Sequence, residues 1–126
     1  MQYTAPYTRN GGGPGGWGCA IVMVPWQYYR HYGEMEALRA AYPGMCRYID
    51  YLAAHSEGDL VVSDRPGEWC LGDWLAPGGS KLDPPFANTY CLVRSLEVIT
   101  RVEALLGLPE NPDWVAQTEK ARAAMT

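Results

Sequence analysis

Residues 34–55 read EMEALRAAYPGMCRYIDYLAAH. Leu38, Tyr42, Met45, Ile49 and Leu52 step through this stretch by 4, 3, 4 and 3. That spacing puts five apolar side chains on one face of an α-helix and predicts a helix from Glu34 to His55. Pro43 lacks an amide donor and crowds the preceding turn, so a kink there, or a restart with Pro43 at an N1-like position, is expected.

The pattern continues in both directions. Upstream, AIVMVPWQYYRHY (residues 20–32) fills most positions with apolar or aromatic side chains, and Ile21, Val24, Tyr28 and Tyr32 recur at three or four. This reads as a helix with Pro25 in its first turns and Gly33 at its end. A helix apolar nearly all round calls for burial on every side. Downstream, residues 56–86 have no helical period, and DLVV (59–62) reads as one short strand. Pro66, Gly67, Pro77, Gly78, Gly79, Pro84 and Pro85 punctuate the rest. So long a loop inside a compact domain is usually functional or disordered, and its Trp content argues against disorder. Helix returns from about Ala87 to Leu106, with Leu92, Leu96, Ile99, Val102 and Leu106 as its stripe and Gly107 and Pro109 closing it. Asn111 reads as an N-cap with Pro112 at N1. The last helix carries Trp114, Val115, Thr118, Ala121 and Met125 on one side. The expected fold is a single all-α domain over residues 1–126: four helices in two αα-hairpins, separated by one long Trp-rich loop.

Composition excludes several functions. The net charge is -4 and the Lys and Arg are scattered, whereas nucleic-acid binding needs clustered cations. The longest apolar run, Cys19 to Trp26, is too short to span a bilayer, and no charged n-region precedes an apolar stretch, so neither a membrane span nor a signal peptide is expected. Cys19, Cys46, Cys70 and Cys91 form no C-x-x-C pair and only two His are present, which speaks against a structural zinc site. Cys46 and Cys91 fall at apolar helical positions and read as small hydrophobes. A reduced, cytoplasmic chain is the default reading, with disulfides open to an exported one. NGGGPGG (10–16) has a phosphate loop's glycines, but no Lys-Ser or Lys-Thr follows it, so no nucleotide or other cofactor is expected. Nine Tyr and five Trp against one Phe favour a partly wet groove that stacks on a ligand.

Three motifs in order carry a resemblance: GGGPGGWGCAIVMVPWQYYRHYG (11–33), LRAAYPGMCRYIDYLAAHS (38–56) and LGDWLAPG (71–78) before a helix. Over residues 5 to 125 the chain resembles the catalytic domain of bacterial α-L-rhamnosidases. The resemblance implies an (α/α)6 barrel of twelve helices, of which this chain looks like the middle third. It also implies inverting hydrolysis of terminal α-L-rhamnose, which needs a general acid and a general base on opposite faces of the sugar. In the family the acid lies upstream of a Trp-Gly-Asp motif and the base well downstream of Gly-Asp-Trp. Neither segment is present, so no catalytic residue is assigned and the chain is expected to be inactive in isolation. Cys19 stands where the family has the Asp of Trp-Gly-Asp-Ala, and a thiol is a poor acceptor for a sugar hydroxyl.

The resemblance makes Asp73 and Trp74 a sugar clamp, the carboxylate accepting from hydroxyls and the indole covering the C–H face of the ring. The plainer reading is a loop anchored by Trp packing, with Asp73 capping a turn. Trp17 and Trp69 line the same pocket in the functional reading and pack helix ends in the plain one. Glu68 and Asp73 are two carboxylates in one loop, a pattern that mostly means solvated side chains. His31 and His55 fall at helix C-terminal ends, where the dipole favours them. Cys19, near a helix start, is either a thiol of lowered pKa or a buried small residue. Four helices cut from a ring leave two raw flanks, so a homo-oligomer is expected, a dimer ahead of a trimer that would rebuild twelve helices. The alternative from another class is a non-catalytic oligomerising or sugar-binding helical protein of the same ancestry.

Overall fold

The computed structural model describes residues 13–62, 77–79 and 82–126. A 3-10 turn over Gly16–Cys19 leads into α1 (Ala20–Tyr32), followed by α2 (Met35–Ala54), a minimal hairpin of β1 (Ser56–Glu57) and β2 (Leu60–Val61), α3 (Pro84–Leu106) and α4 (Pro112–Ala124). α1 packs on α2 and α3 on α4, giving the two expected hairpins, and α2 against α3 forms the seam between them.

The stripes read from sequence build that seam. Leu38, Met45, Ile49 and Leu52 of α2 meet Leu92, Leu96, Ile99 and Val102 of α3, all essentially inaccessible to solvent. Full burial of one such aliphatic side chain is worth about 1.5–3 kcal/mol, so these two rows account for most of the cohesion between the hairpins. Both predicted glycine stops hold: Gly33 (φ 73°) and Gly107 (φ 68°) adopt the left-handed conformation that ends α1 and α3. Asn111 caps α4 by accepting from the Asp113 amide at 3.0 Å, with Pro112 behind it in the first turn.

Four details differ from expectation. α2 is one continuous helix through Pro43, so the restart, one of the two outcomes expected there, is absent. Pro43 and Arg39, whose carbonyl loses its amide partner, both lie on the exposed face, where water can serve that carbonyl. α3 starts at Pro84, one turn earlier than the apolar period indicates, because two prolines are tolerated in a first turn whose amides have no intrahelical partners. The short strand has a partner, Ser56 pairing with Val61 and Glu57 with Leu60. Finally, α1 turns the expected stripe outward. Val22 is its one fully buried residue, with Trp26 and Tyr29 partly buried beside it. Ile21, Val24, Tyr28 and Tyr32 are 39%, 62%, 39% and 70% exposed. Val115 of α4 shares this trait, at 38% exposed.

Candidate functional site

The chain ends of three elements converge at one end of the helical layer. The first contributor is the glycine-rich approach to α1. Gly15 has φ 80°, and a Cβ there would stand 2.4 Å from Asn88 Oδ1 and 2.9 Å from Asn88 Cα. Only a glycine lets the turn lie this close to α3. The second is the β-hairpin: the buried Val61 amide donates to Thr89 Oγ1 at 2.8 Å. The third is the first two turns of α3, where Asn88 and Thr89 are both buried. The described strand thus ends beside Thr89, and the chain enters α3 through Leu82 and Asp83, nearly two turns before Thr89.

Of the sequence-derived candidates, Trp17 lies in the described structure. It sits on the 3-10 turn with its side chain largely in solvent, 53% exposed, available to a ligand or to a segment folding over it. Asp73, Trp74, Trp69 and Glu68 lie outside the described residues. Cys19 is half-buried at the α1 N-cap, and its thiol is hydrogen-bonded to that of Cys91 on α3. That hydrogen bond holds the Cys19 thiol down to about 7 against the opposing effect of burial, helped by its own backbone amide. Cys91 is pushed strongly upward, first by the same contact and then by burial.

The histidines take structural places. His55 is buried at the α2 C-terminus, its Nδ1 2.8 Å from the Tyr51 carbonyl oxygen and its ring against that of Tyr51. His31 is exposed in the last turn of α1. Among the described residues no cluster of three His, Cys, Asp or Glu side chains could hold a metal ion, and no helix is long and apolar enough to cross a membrane.

Periodicity gave no sign of a polar connection across the seam. Glu103, buried on α3, accepts from the Tyr42 hydroxyl of α2 at 3.0 Å and from the Asn111 amide at 3.3 Å. Burial, followed by hydrogen bonds to Cys46 and Glu103, raises the Tyr42 hydroxyl well above its usual range. Tyr42 therefore remains a donor at any ordinary pH. A second polar feature is the open groove between α3 and α4, where Arg122 bridges Glu97 at 2.5 Å and Glu119 at 2.9 Å. These charges satisfy one another and leave no convergent acid–base pair.

Two helical hairpins packed side by side, with the approach to α1, the β-hairpin and the start of α3 meeting at one end, are the arrangement of a segment of a helical-hairpin glycosidase domain. The sequence matches the bacterial alpha-L-rhamnosidase six-hairpin glycosidase domain over residues 1–126, and the chain belongs to that family. It is 42% identical over 109 residues to an alpha-L-rhamnosidase of Streptomyces avermitilis, covering 86% of this chain and 10% of that protein. It is 27% identical over 105 residues to an alpha-L-rhamnosidase of Alteromonas, covering 76% of this chain and 11% of the relative. The crystal structure of a Streptomyces avermitilis alpha-L-rhamnosidase complexed with L-rhamnose superposes with a TM-score of 0.76 at 28% identity, over 89% of this chain and 10% of that one. The chain thus spans about a tenth of the length of these relatives.

Proposed function

We propose that this chain serves as two of the six hairpins in an inverting α-L-rhamnosidase that removes terminal α-L-rhamnose from glycosides, and that it is inactive in isolation. The observation that carries the reading is the family match along the whole chain, together with a superposable relative crystallised with L-rhamnose. In this reading Trp17, Trp69, Asp73 and Trp74 contact the sugar. Trp17 and both attachment points of the long loop stand at the same end of the helices, which supports one shared pocket. The general acid and base come from parts of the enzyme outside these 126 residues. The chain works in the cytoplasm, where Cys19, Cys46 and Cys91 stay free.

Without the other hairpins a few sugar hydrogen bonds, each netting about 1 kcal/mol, do not offset the entropy of binding a monosaccharide. The isolated chain should neither hydrolyse an aryl α-L-rhamnoside nor bind L-rhamnose at micromolar concentration in calorimetry. A chimera tests the positive claim: this chain replaces the matching tenth of the Streptomyces avermitilis enzyme, with Cys19 or with Cys19→Asp. Hydrolysis by either chimera supports the reading. Two folded chimeras that both lack activity refute it.

The outward row of Ile21, Val24, Tyr28 and Tyr32 supports an assembly claim. Neighbouring hairpins cover it in the whole enzyme. In the isolated chain a second copy covers it, giving a dimer, with a trimer as the next closed arrangement. Light scattering at micromolar concentration should give at least twice the chain mass of 14.0 kDa, and a clean monomer mass would refute it.

A further inference from the structure

We propose that Asn88 is the positioning residue for Trp17, the seat on α3 that aims the indole into the sugar pocket; the proposal rests on the rhamnosidase reading of that pocket. A side chain that meets one face of a sugar ring has to be aimed. An indole is aimed either by packing around its ring or by the backbone beneath it. Packing does not supply the aim here. Trp17 is largely in solvent, and among the described residues no hydrogen bond or ring contact holds its indole. The 3-10 turn that carries it has no side-chain cap of its own. The placement of the turn is therefore what fixes where the indole starts and which way it leaves.

That placement comes from α3. Gly13, Pro14 and Gly15 are buried, and Gly15 and Gly16 follow one another at φ 80° and 56°, both in the left-handed region. The turn closes through a hydrogen bond from the Gly18 amide to the Gly15 carbonyl oxygen at 3.2 Å, with Trp17 between them. Gly15 is thus the base of the turn, and it is also its point of support. The three atoms nearest to a Cβ at Gly15 would all belong to Asn88: Oδ1 at 2.4 Å, and Cα and Cγ each at 2.9 Å. Asn88 is itself buried, on the helix that forms the seam with α2. A close-packed interior position leaves a side chain little freedom, so Asn88 makes a rigid seat. Shortening it to alanine removes Oδ1 and Cγ from under Gly15, and the turn can then settle or rock, taking Trp17 with it. An indole on the sugar touches ground state and transition state alike, so the loss falls on binding more than on bond cleavage.

Nuclear magnetic resonance relaxation on the unsubstituted full chain tests the seat. Backbone order parameters at Gly16, Trp17 and Gly18 should be about 0.85, the value of rigid backbone, and should fall in Asn88→Ala while those of the α2–α3 seam stay unchanged. Values below about 0.6 in the unsubstituted chain overturn the proposal, whether or not the variant folds. The active chimera tests the role. There Asn88→Ala should lower kcat/KM about tenfold, chiefly by raising KM. Made on top of Trp17→Ala, the same substitution should lower it by less than about twofold, because a seat has no effect once the indole is gone. Equal losses in both backgrounds, or a loss carried by kcat alone, would make Asn88 a purely structural residue and overturn the proposal. A parent chimera without activity counts against the rhamnosidase reading instead, and the relaxation measurement still decides whether Asn88 seats the turn.

Discussion

Replacing Glu103 tests how the two hairpins are joined. The side chain is 3% exposed and holds the Tyr42 hydroxyl with one oxygen and the Asn111 amide with the other. Glu103→Ala removes both acceptors and leaves a void where its methylenes packed. Tyr42 and Asn111 are only partly buried, so each orphaned donor can recover some hydration. That places each loss near the low end of the usual range, about 1 kcal/mol, and the lost packing adds about 1–2 kcal/mol. The expected cost is about 3 kcal/mol. Glu103→Gln keeps the shape and one acceptor but turns an N–H toward the other donor, for an expected cost of about 1–2 kcal/mol. Urea unfolding followed by far-UV circular dichroism gives both values. In a double-mutant cycle, Tyr42→Phe with Glu103→Gln should be less than additive, by about 0.5–1 kcal/mol. A Glu103→Ala variant within about 0.5 kcal/mol of the parent would refute the clamp, since that is the scatter of surface substitutions without a specific role.

Other perturbations follow from the same geometry. The Tyr42 hydroxyl is raised above its ordinary 10.0 in the folded chain. Its contribution is therefore complete below about pH 10 and falls away as pH climbs through 10 toward the higher folded value. Unfolding midpoints should drop over that window, and Tyr42→Phe should drop less; equal slopes would refute the assignment. Gly15→Ala meets both a positive φ and a 2.4 Å clash with Asn88, whereas Gly58→Ala meets a positive φ in open space. The first should cost more than about 2 kcal/mol and the second about 1 kcal/mol in the same unfolding assay. Ser95 Oγ is buried with no hydrogen-bond partner among the described residues. Ser95→Ala should therefore leave stability unchanged or raise it by up to about 1 kcal/mol, and a loss larger than that would point to a hidden partner.

The seam was legible in the sequence because α2 and α3 are amphipathic, and a periodic stripe has one physical meaning when the opposite face is polar. The caps were legible because Gly33, Gly107 and Asn111 with Pro112 perform jobs that few residues can do. α1 was legible as a helix but not in its orientation. Its sequence offers apolar side chains on all sides, so a row at three and four exists on more than one face, and packing chose Val22, Trp26 and Tyr29 over Ile21, Val24 and Tyr28. Pro43 left two outcomes open, a kink or a restart, and the helix does not restart. The proline's cost depends on whether the freed carbonyl is buried, which tertiary contacts decide. The Glu103 clamp and the Cys19–Cys91 pair join residues 61 and 72 positions apart, and no local period reports such a meeting. Among the sugar-site candidates, the family motif singled out Asp73 and Trp74, which with Trp69 lie outside the described residues, and Trp17 has an exposed position compatible with the role.

The outward aromatic row of α1 and the crowded end of α3 answer different demands. Close packing at Gly15, Asn88 and Thr89 fixes the turn that carries Trp17 and the strand from which the long loop departs. A sugar site needs that precision, because a ring must be met from several directions at once. The outer face of α1 shows no such fixing. Along it the Tyr28 and Tyr32 rings meet at a tilt, Tyr28 donates a surface hydrogen bond to Glu34 at 3.1 Å, and Ile21 leans on α2 at Gly44. Tyrosines at such positions tolerate water through the hydroxyl and bury their rings when another surface arrives. Val24, 62% exposed, has no polar group with which to do the same. In the proposed assembly this is the face that neighbouring hairpins would cover; within these residues one face of α1 is satisfied and the other stays open to solvent.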